Sequence, residues 1–122
     1  VLTDLGYATR LVFEALRGVR AMLIETNHDE ALLQNDFRRP WSVKQRILSR
    51  HGHLSNTAAA RILAELDAPL EHIILGHLSR DCNSPNLALD CALKGLANSR
   101  SGAQPSIQCA CQDAPGAILR IT

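Results

Sequence analysis

Aromatic residues are scarce in this 122-residue chain: two Phe, one Tyr and one Trp make up 3% of it. A surface that stacks the bases of single-stranded nucleic acid needs aromatics interleaved with its basic residues, so this scarcity argues against that mode of binding. Net charge is nearly absent too, +1 from 13 basic and 12 acidic residues. That excludes a chain held to polyanions by overall charge alone. No apolar run approaches the roughly 20 residues that cross a bilayer, and no basic leader with an apolar stretch and a cleavage site is read. The expected location is cytoplasmic, with no membrane partner.

The four cysteines, Cys82, Cys91, Cys109 and Cys111, are too few for a disulfide-dense scaffold, and nothing indicates secretion, so reduced thiols are expected. In a strand, Cys109 and Cys111 would share a face. A lone pair lacks the second pair that zinc sites use, so small packing residues are the expected role.

At 122 residues the chain makes about one domain with a modest core. Alternating helical and strand patterns predict layered α/β structure. Helices are expected over 9–17 (stopped by Gly18), 29–34, 41–49 (opened by Pro40), 55–66 (capped by Ser55 or Asn56) and from Pro85 to about Leu96. Strands are expected over 20–25 and 70–75. Residues 106–110 and 117–121 read as a strand pair across the turn-like Asp113-Ala114-Pro115-Gly116. The chain opens on Val1-Leu2-Thr3 as though in mid-strand, which predicts a longer polypeptide.

Two copies of Gly-His-Leu-Ser occur, at Gly52 and Gly76, too short to be an internal repeat because the flanking residues differ. The second closes the buried strand, which puts His77 at a strand exit; Asp4 stands at another. Ligands and metals collect at such carboxyl ends in layered α/β folds. Imidazole and carboxylate together suggest half of a metal site, against the plainer reading of a turn Asp and a surface His. Ser55, Asn56 and the free amides of their helix make an anion-friendly terminus. From Phe37 to Leu63 there is no acidic residue, whereas Arg38, Arg39, Lys44, Arg46, Arg50 and Arg61 fall inside it. This local excess reads either as a face for phosphate or nucleic acid or as a solvated helical surface.

The ordered runs Thr3-Asp4-Leu5-Gly6-Tyr7, Glu25-Thr26-Asn27-His28-Asp29, Lys44-Gln45-Arg46-Ile47, Gly52-His53-Leu54-Ser55-Asn56 and Leu75-Gly76-His77-Leu78-Ser79-Arg80, with Asn83-Ser84-Pro85 and Gln112-Asp113-Ala114-Pro115-Gly116, resemble the carboxyl-terminal half of metallo-β-lactamase-fold hydrolases. The resemblance is to the YycJ/WalJ branch, relatives of RNase Z. It implies that the chain is half of a four-layer αββα sandwich with two divalent ions, zinc or manganese, at the sheet edge. By the same resemblance Asp4 is a bridging ligand and His77 the last histidine ligand, and a hydroxide held between the metals attacks a phosphodiester. His53 is implied as a catalytic non-ligand, donating a proton to the leaving oxygen or a hydrogen bond to the phosphate. Glu25, Asn27, His28 and Asp29, with Ser55, Asn56 and Ser79, are implied to orient the ligands or line the cleft. A plainer reading of the Glu25–Asp29 segment is a helix cap with a surface histidine.

The branch's principal ligand run, His-x-His-x-Asp-His, does not occur in these 122 residues, and neither does the histidine that precedes the Asp4-type motif. With about four donors expected around zinc, Asp4 and His77 alone should bind metal poorly, and the segment alone should be inactive. The expectation is a missing amino-terminal half elsewhere in the polypeptide. A partner chain supplying it, or a non-catalytic binding or structural module, are the alternatives. Hydrolysis of a small ester, thioester or lactone is the other enzymatic reading.

Overall fold

The computed structural model describes residues 1–122 as a mixed α/β protein built on a three-stranded parallel sheet. Eight elements follow in order: α1 (Arg10–Leu16), β1 (Ala21–Glu25), α2 (Glu30–Asn35), α3 (Trp41–Leu48), α4 (Asn56–Glu65), β2 (His72–Gly76), α5 (Pro85–Ala97) and β3 (Ser106–Cys109). The strands stand in the order β1, β2, β3. Their register opposes Ala21 to His72 and Glu25 to Gly76, then His72 to Ser106 and Leu75 to Cys109. All strands run one way, so every connection is a crossover and the carboxyl ends lie along one rim.

Side chains alternate in burial along β1 and β2. Met22, Ile24, Ile73 and Leu75 enter the core, where Ala59, Ile62 and Leu63 of α4 and Ala88 and Ala92 of α5 meet them. Each fully buried Leu or Ile contributes about 2 kcal/mol. The helices start where the sequence supplies caps. The Thr9, Asp29, Ser55 and Ser84 side chains each accept the amide three residues on, at Val12, Leu32, Ala58 and Leu87. Pro40 opens α3 without a side-chain cap.

Two strand expectations are corrected. The 70–75 strand begins only at His72, because the Leu70 amide is taken by the Ala68 carbonyl in a local turn. Residues 117–121 form no strand: Ser106–Cys109 spends its ladder on β2 as a parallel neighbour, and the turn residues are tied elsewhere. Arg80 donates to Gln112 and Asp113, and Gln112 donates to the Leu78 carbonyl, while the tail is held by side chains and not by a ladder, with the Arg120 carbonyl on His72 and Thr122 on Glu71. The opening residues add one rung, a bridge from Leu2 to Ile24, which delivers Asp4 to the rim. No helix is long and apolar enough to cross a membrane.

Candidate metal centre

Four side chains from four separate segments meet at the strand ends: Asp4, Glu25, His53 and His77, with ligand-type atoms all within 4.8 Å of one another. Glu25, the last residue of β1, is fully buried. Its Oε1 lies 2.6 Å from His53 Nδ1 and 2.6 Å from His77 Nδ1. Its Oε2 accepts the Asp4 amide at 2.8 Å and, more weakly, the Leu54 amide at 3.5 Å. Asp4 Oδ1 stands 3.6 Å from His53 Nδ1 and 3.8 Å from His77 Nδ1. The two imidazoles meet edge to face, with centroids 5.1 Å apart. One buried carboxylate therefore sets both rings and the Asp4 backbone.

The backbone at both predicted ligands is unusual. Asp4 (φ 57°) and His77 (φ 58°) are the two non-glycine residues in the left-handed region, a conformation that costs L-residues about 1–2 kcal/mol. Such strain persists where the surroundings over-determine it. Here Glu25 grips the Asp4 amide, and the Asn27 side-chain NH₂ donates to the His77 carbonyl at 2.9 Å. The extended chain leaving β1 runs beside the chain entering α4, with the Asn27 amide on the Leu54 carbonyl and the Asn56 amide on the His28 carbonyl. This pairing brings His53 to Glu25.

Two glycines fix the remaining separation. The Gly6 amide donates to the Arg50 carbonyl at 3.0 Å, and a Cβ on Gly6 would stand 1.8 Å from the Ser49 carbonyl oxygen. At Gly52 a Cβ would stand 2.0 Å from the Ile47 carbonyl oxygen. At Gly6 the Asp4 loop thus touches the His53 loop backbone to backbone, and at Gly52 the His53 loop folds tightly onto the end of α3; only hydrogen at these positions permits either approach.

Two carboxylates and two imidazoles are a donor set that divalent transition metals take. No lysine or arginine pairs with either carboxylate; the nitrogens that face them belong to the two histidine rings. A site with negative charge, no fixed cation and imidazoles held through one ring nitrogen by a carboxylate fits a metal ion, because a carboxylate on Nδ1–H leaves Nε2 free to ligate. Beside it opens a cleft of about 680 Å³ lined by Thr3, Asp4, Asn27, His77, Ser79 and Arg80 among others.

The other candidate residues have specific places. His28 is buried, not a surface histidine; its Nδ1 faces Asn27 Oδ1 at 3.2 Å and Nε2 has no partner. Burial pushes its pKa down, with Glu30 opposing the shift. Asp29 caps α2. Ser55 caps α4 while donating to Glu30. Asn56 exchanges amide hydrogen bonds with Asn83, and Ser79 Oγ accepts the Cys82 amide.

The basic stretch does not form one free face. Arg38 and Arg39 pair with Asp36 and Asp81, and Lys44 is buried with Nζ on the Gln34 carbonyl at 2.9 Å. Arg46, Arg50 and Arg61 remain exposed and outside any ion pair. All four cysteines are free; β3 ends at Cys109, so Cys111 lies beyond the strand and is exposed. The sequence reading placed Glu25 among orienting residues without seeing it as the hub. An acid ending an otherwise apolar strand was the available signal.

Fold and rim together define an α/β protein with a strand-end centre of metal-ligating chemistry. No family model and no solved structure matches the chain. Among curated proteins it is 40% identical over 89 residues to "Exodeoxyribonuclease YycJ" of Bacillus anthracis. It is 39% identical over 89 residues to "Exodeoxyribonuclease WalJ" of two Streptococcus pneumoniae strains. The matches cover 72% of this chain and 33% of each relative, so the chain spans about a third of the length of the curated relatives it matches. The YycJ/WalJ branch that the ordered motifs resemble is the one these relatives carry.

Proposed function

We propose that this chain is the carboxyl-terminal half of a metallo-β-lactamase-fold hydrolase that cleaves phosphodiester bonds of DNA. The likeness to proteins named exodeoxyribonucleases supports the substrate. The observation that carries the reading is the convergence of Asp4, Glu25, His53 and His77 within 4.8 Å at the strand ends. Asp4 and His77 are the proposed ligands of two divalent ions, zinc or manganese. The ligands still needed come from the other half of an αββα sandwich, in the same polypeptide.

When bound, divalent ions supply positive charge to phosphate oxygens and acidify water. The chain's own residues do the rest. Asp4 offers two carboxylate oxygens, enough to bridge. Glu25 accepts Nδ1–H from both imidazoles, fixing each tautomer and leaving Nε2 free. His53, one-third exposed at its side chain, gives a proton to the leaving oxygen or a hydrogen bond to the phosphate. Asn27 holds the His77 backbone in its strained turn.

The test uses the complete protein with linear DNA and zinc or manganese. His53→Ala should retain metal and slow cleavage by about 10²–10⁴-fold, whereas His77→Ala should lower metal content as well. Equal metal loss in both variants would make His53 a ligand. Metal without DNA cleavage would favour a small ester or thioester substrate, and no metal would favour a binding module.

A further inference from the structure

Three of the four aromatic residues are exposed, Tyr7, Phe37 and Trp41, and one of them stands beside the centre. Tyr7 follows Asp4 by three residues, a reach of at most about 11 Å. The Arg50 guanidinium lies over its ring, 5.0 Å from the centroid. Arg50 comes from the loop that ends in His53, and the Gly6–Arg50 backbone bond locks the two loops together.

Below Tyr7 lies a separate pocket of about 180 Å³, walled by Ala8, Phe13, Leu54, Ala58 and Ile62, with Arg61 and Glu65 at its edge. Leu54 is the neighbour of His53. Arg61 sits one turn before Glu65 on α4, yet the two make no ion pair, and Arg50 has none either. An apolar pocket with a half-exposed aromatic at its mouth, Arg61 at its edge and the Arg50 guanidinium stacked on the outer side of that aromatic matches the chemistry of a nucleotide. The base offers a π-face and the backbone offers anions. A paired base cannot enter such a pocket without leaving its stack.

We infer that the Tyr7 pocket is a subsite for an unpaired nucleotide next to the scissile phosphate, with its base against Tyr7 and its phosphates on Arg50 and Arg61. The occupant is single-stranded DNA. This rests on the phosphodiesterase reading of the neighbouring centre. It runs against the expectation that scarce aromatics argue against stacking, since a single well-placed ring is enough for one base.

The experiment compares the complete protein with Tyr7→Ala, Tyr7→Phe, Arg50→Gln and Arg61→Gln on a single-stranded oligonucleotide and on bis(p-nitrophenyl) phosphate, which has no base. Tyr7→Ala should raise KM for the oligonucleotide about tenfold, with kcat little affected, and Tyr7→Phe should restore it. Each arginine variant should lower the slope of log affinity against log salt by about 1. Hydrolysis of the small diester should change less than KM for the oligonucleotide does. Unaltered KM and salt slopes in variants that still cleave the small diester would overturn the subsite while leaving the hydrolase intact. A wild-type protein that cleaves neither substrate would sink both.

Discussion

Two carboxylates are buried in this chain, and their surroundings differ in charge. Asp36 sits among guanidinium groups: it accepts the Arg38 amide at 3.0 Å and Arg38 Nε at 3.2 Å, pairs with Arg39, and receives the Cys82 thiol at 3.4 Å. The Arg38 amide, and then the Arg39 and Arg38 side chains, hold its carboxyl well below the usual range, against the effect of burial. Burial pushes the Cys82 thiol up. Glu25 sits among imidazoles and a second carboxylate, with no arginine or lysine. The first cluster is complete in itself and reads as architecture. The second is short of positive charge at a strand rim, where it is open to a cleft. Burying charge is costly in both places, so the mismatch singles out the rim cluster as the one that could hold a cation.

Changes in each cluster test this difference. After the histidine variants, the largest expected effect is from Glu25→Gln in the complete protein, with metal affinity and the proposed DNA cleavage falling about 10–100-fold, as when a carboxylate behind a ligating histidine is removed. Binding unchanged by calorimetry would mean that Glu25 orients nothing. Next comes Gly6→Ala. Forcing a methyl against the Ser49 carbonyl should destabilise by about 1–3 kcal/mol and weaken metal binding as Asp4 is pushed from His53, while the Asp36 cluster is untouched. A variant of normal urea midpoint and metal affinity would show that the loops need no such contact.

Asp36→Asn should do the reverse, lowering stability at neutral pH without changing metal affinity. Because the folded pKa of Asp36 is depressed below its ordinary 3.8, its stabilisation is present above that value and is lost as pH falls through the folded pKa. The urea midpoints of variant and wild type should therefore differ at pH 7 and converge towards pH 2. A gap of constant size would assign the loss to packing. The smallest effect is expected from His28→Gln. Burial depresses the pKa of His28, so the unfolded state takes up its proton first and stability falls as pH drops below 6.5. The variant should flatten that decline.

Local signals were strong in the sequence and distant ones weak. Ser55 and Asp29 announced helix starts through cap chemistry, and the Ile73-Ile74-Leu75 run announced a strand whose exit carries His77. From those ends, Asp4 and His77 could be expected at a common rim, and the structure brings their side chains within 3.8 Å. What failed was pairing across distance. The partner of Ser106–Cys109 lies 34 residues earlier and parallel, so the turn-like Asp113–Gly116 suggested a hairpin that does not form. Arg38 and Arg39 looked uncompensated because one partner, Asp36, lies just outside the acid-free Phe37–Leu63 stretch and the other, Asp81, is more than 40 residues away. The centrality of Glu25 was only hinted at by an acid closing an apolar strand, since its four hydrogen-bonding partners come from three other segments.

The most direct measurement is the zinc and manganese content of the purified complete protein, wild type beside an Asp4→Ala, His77→Ala double variant and an Asp36→Asn control. Bound metal in the wild type and the control, and its loss in the double variant, is the predicted result. Equal metal in all three, or none in any after reconstitution, would contradict a cation at the Asp4, Glu25, His53 and His77 rim.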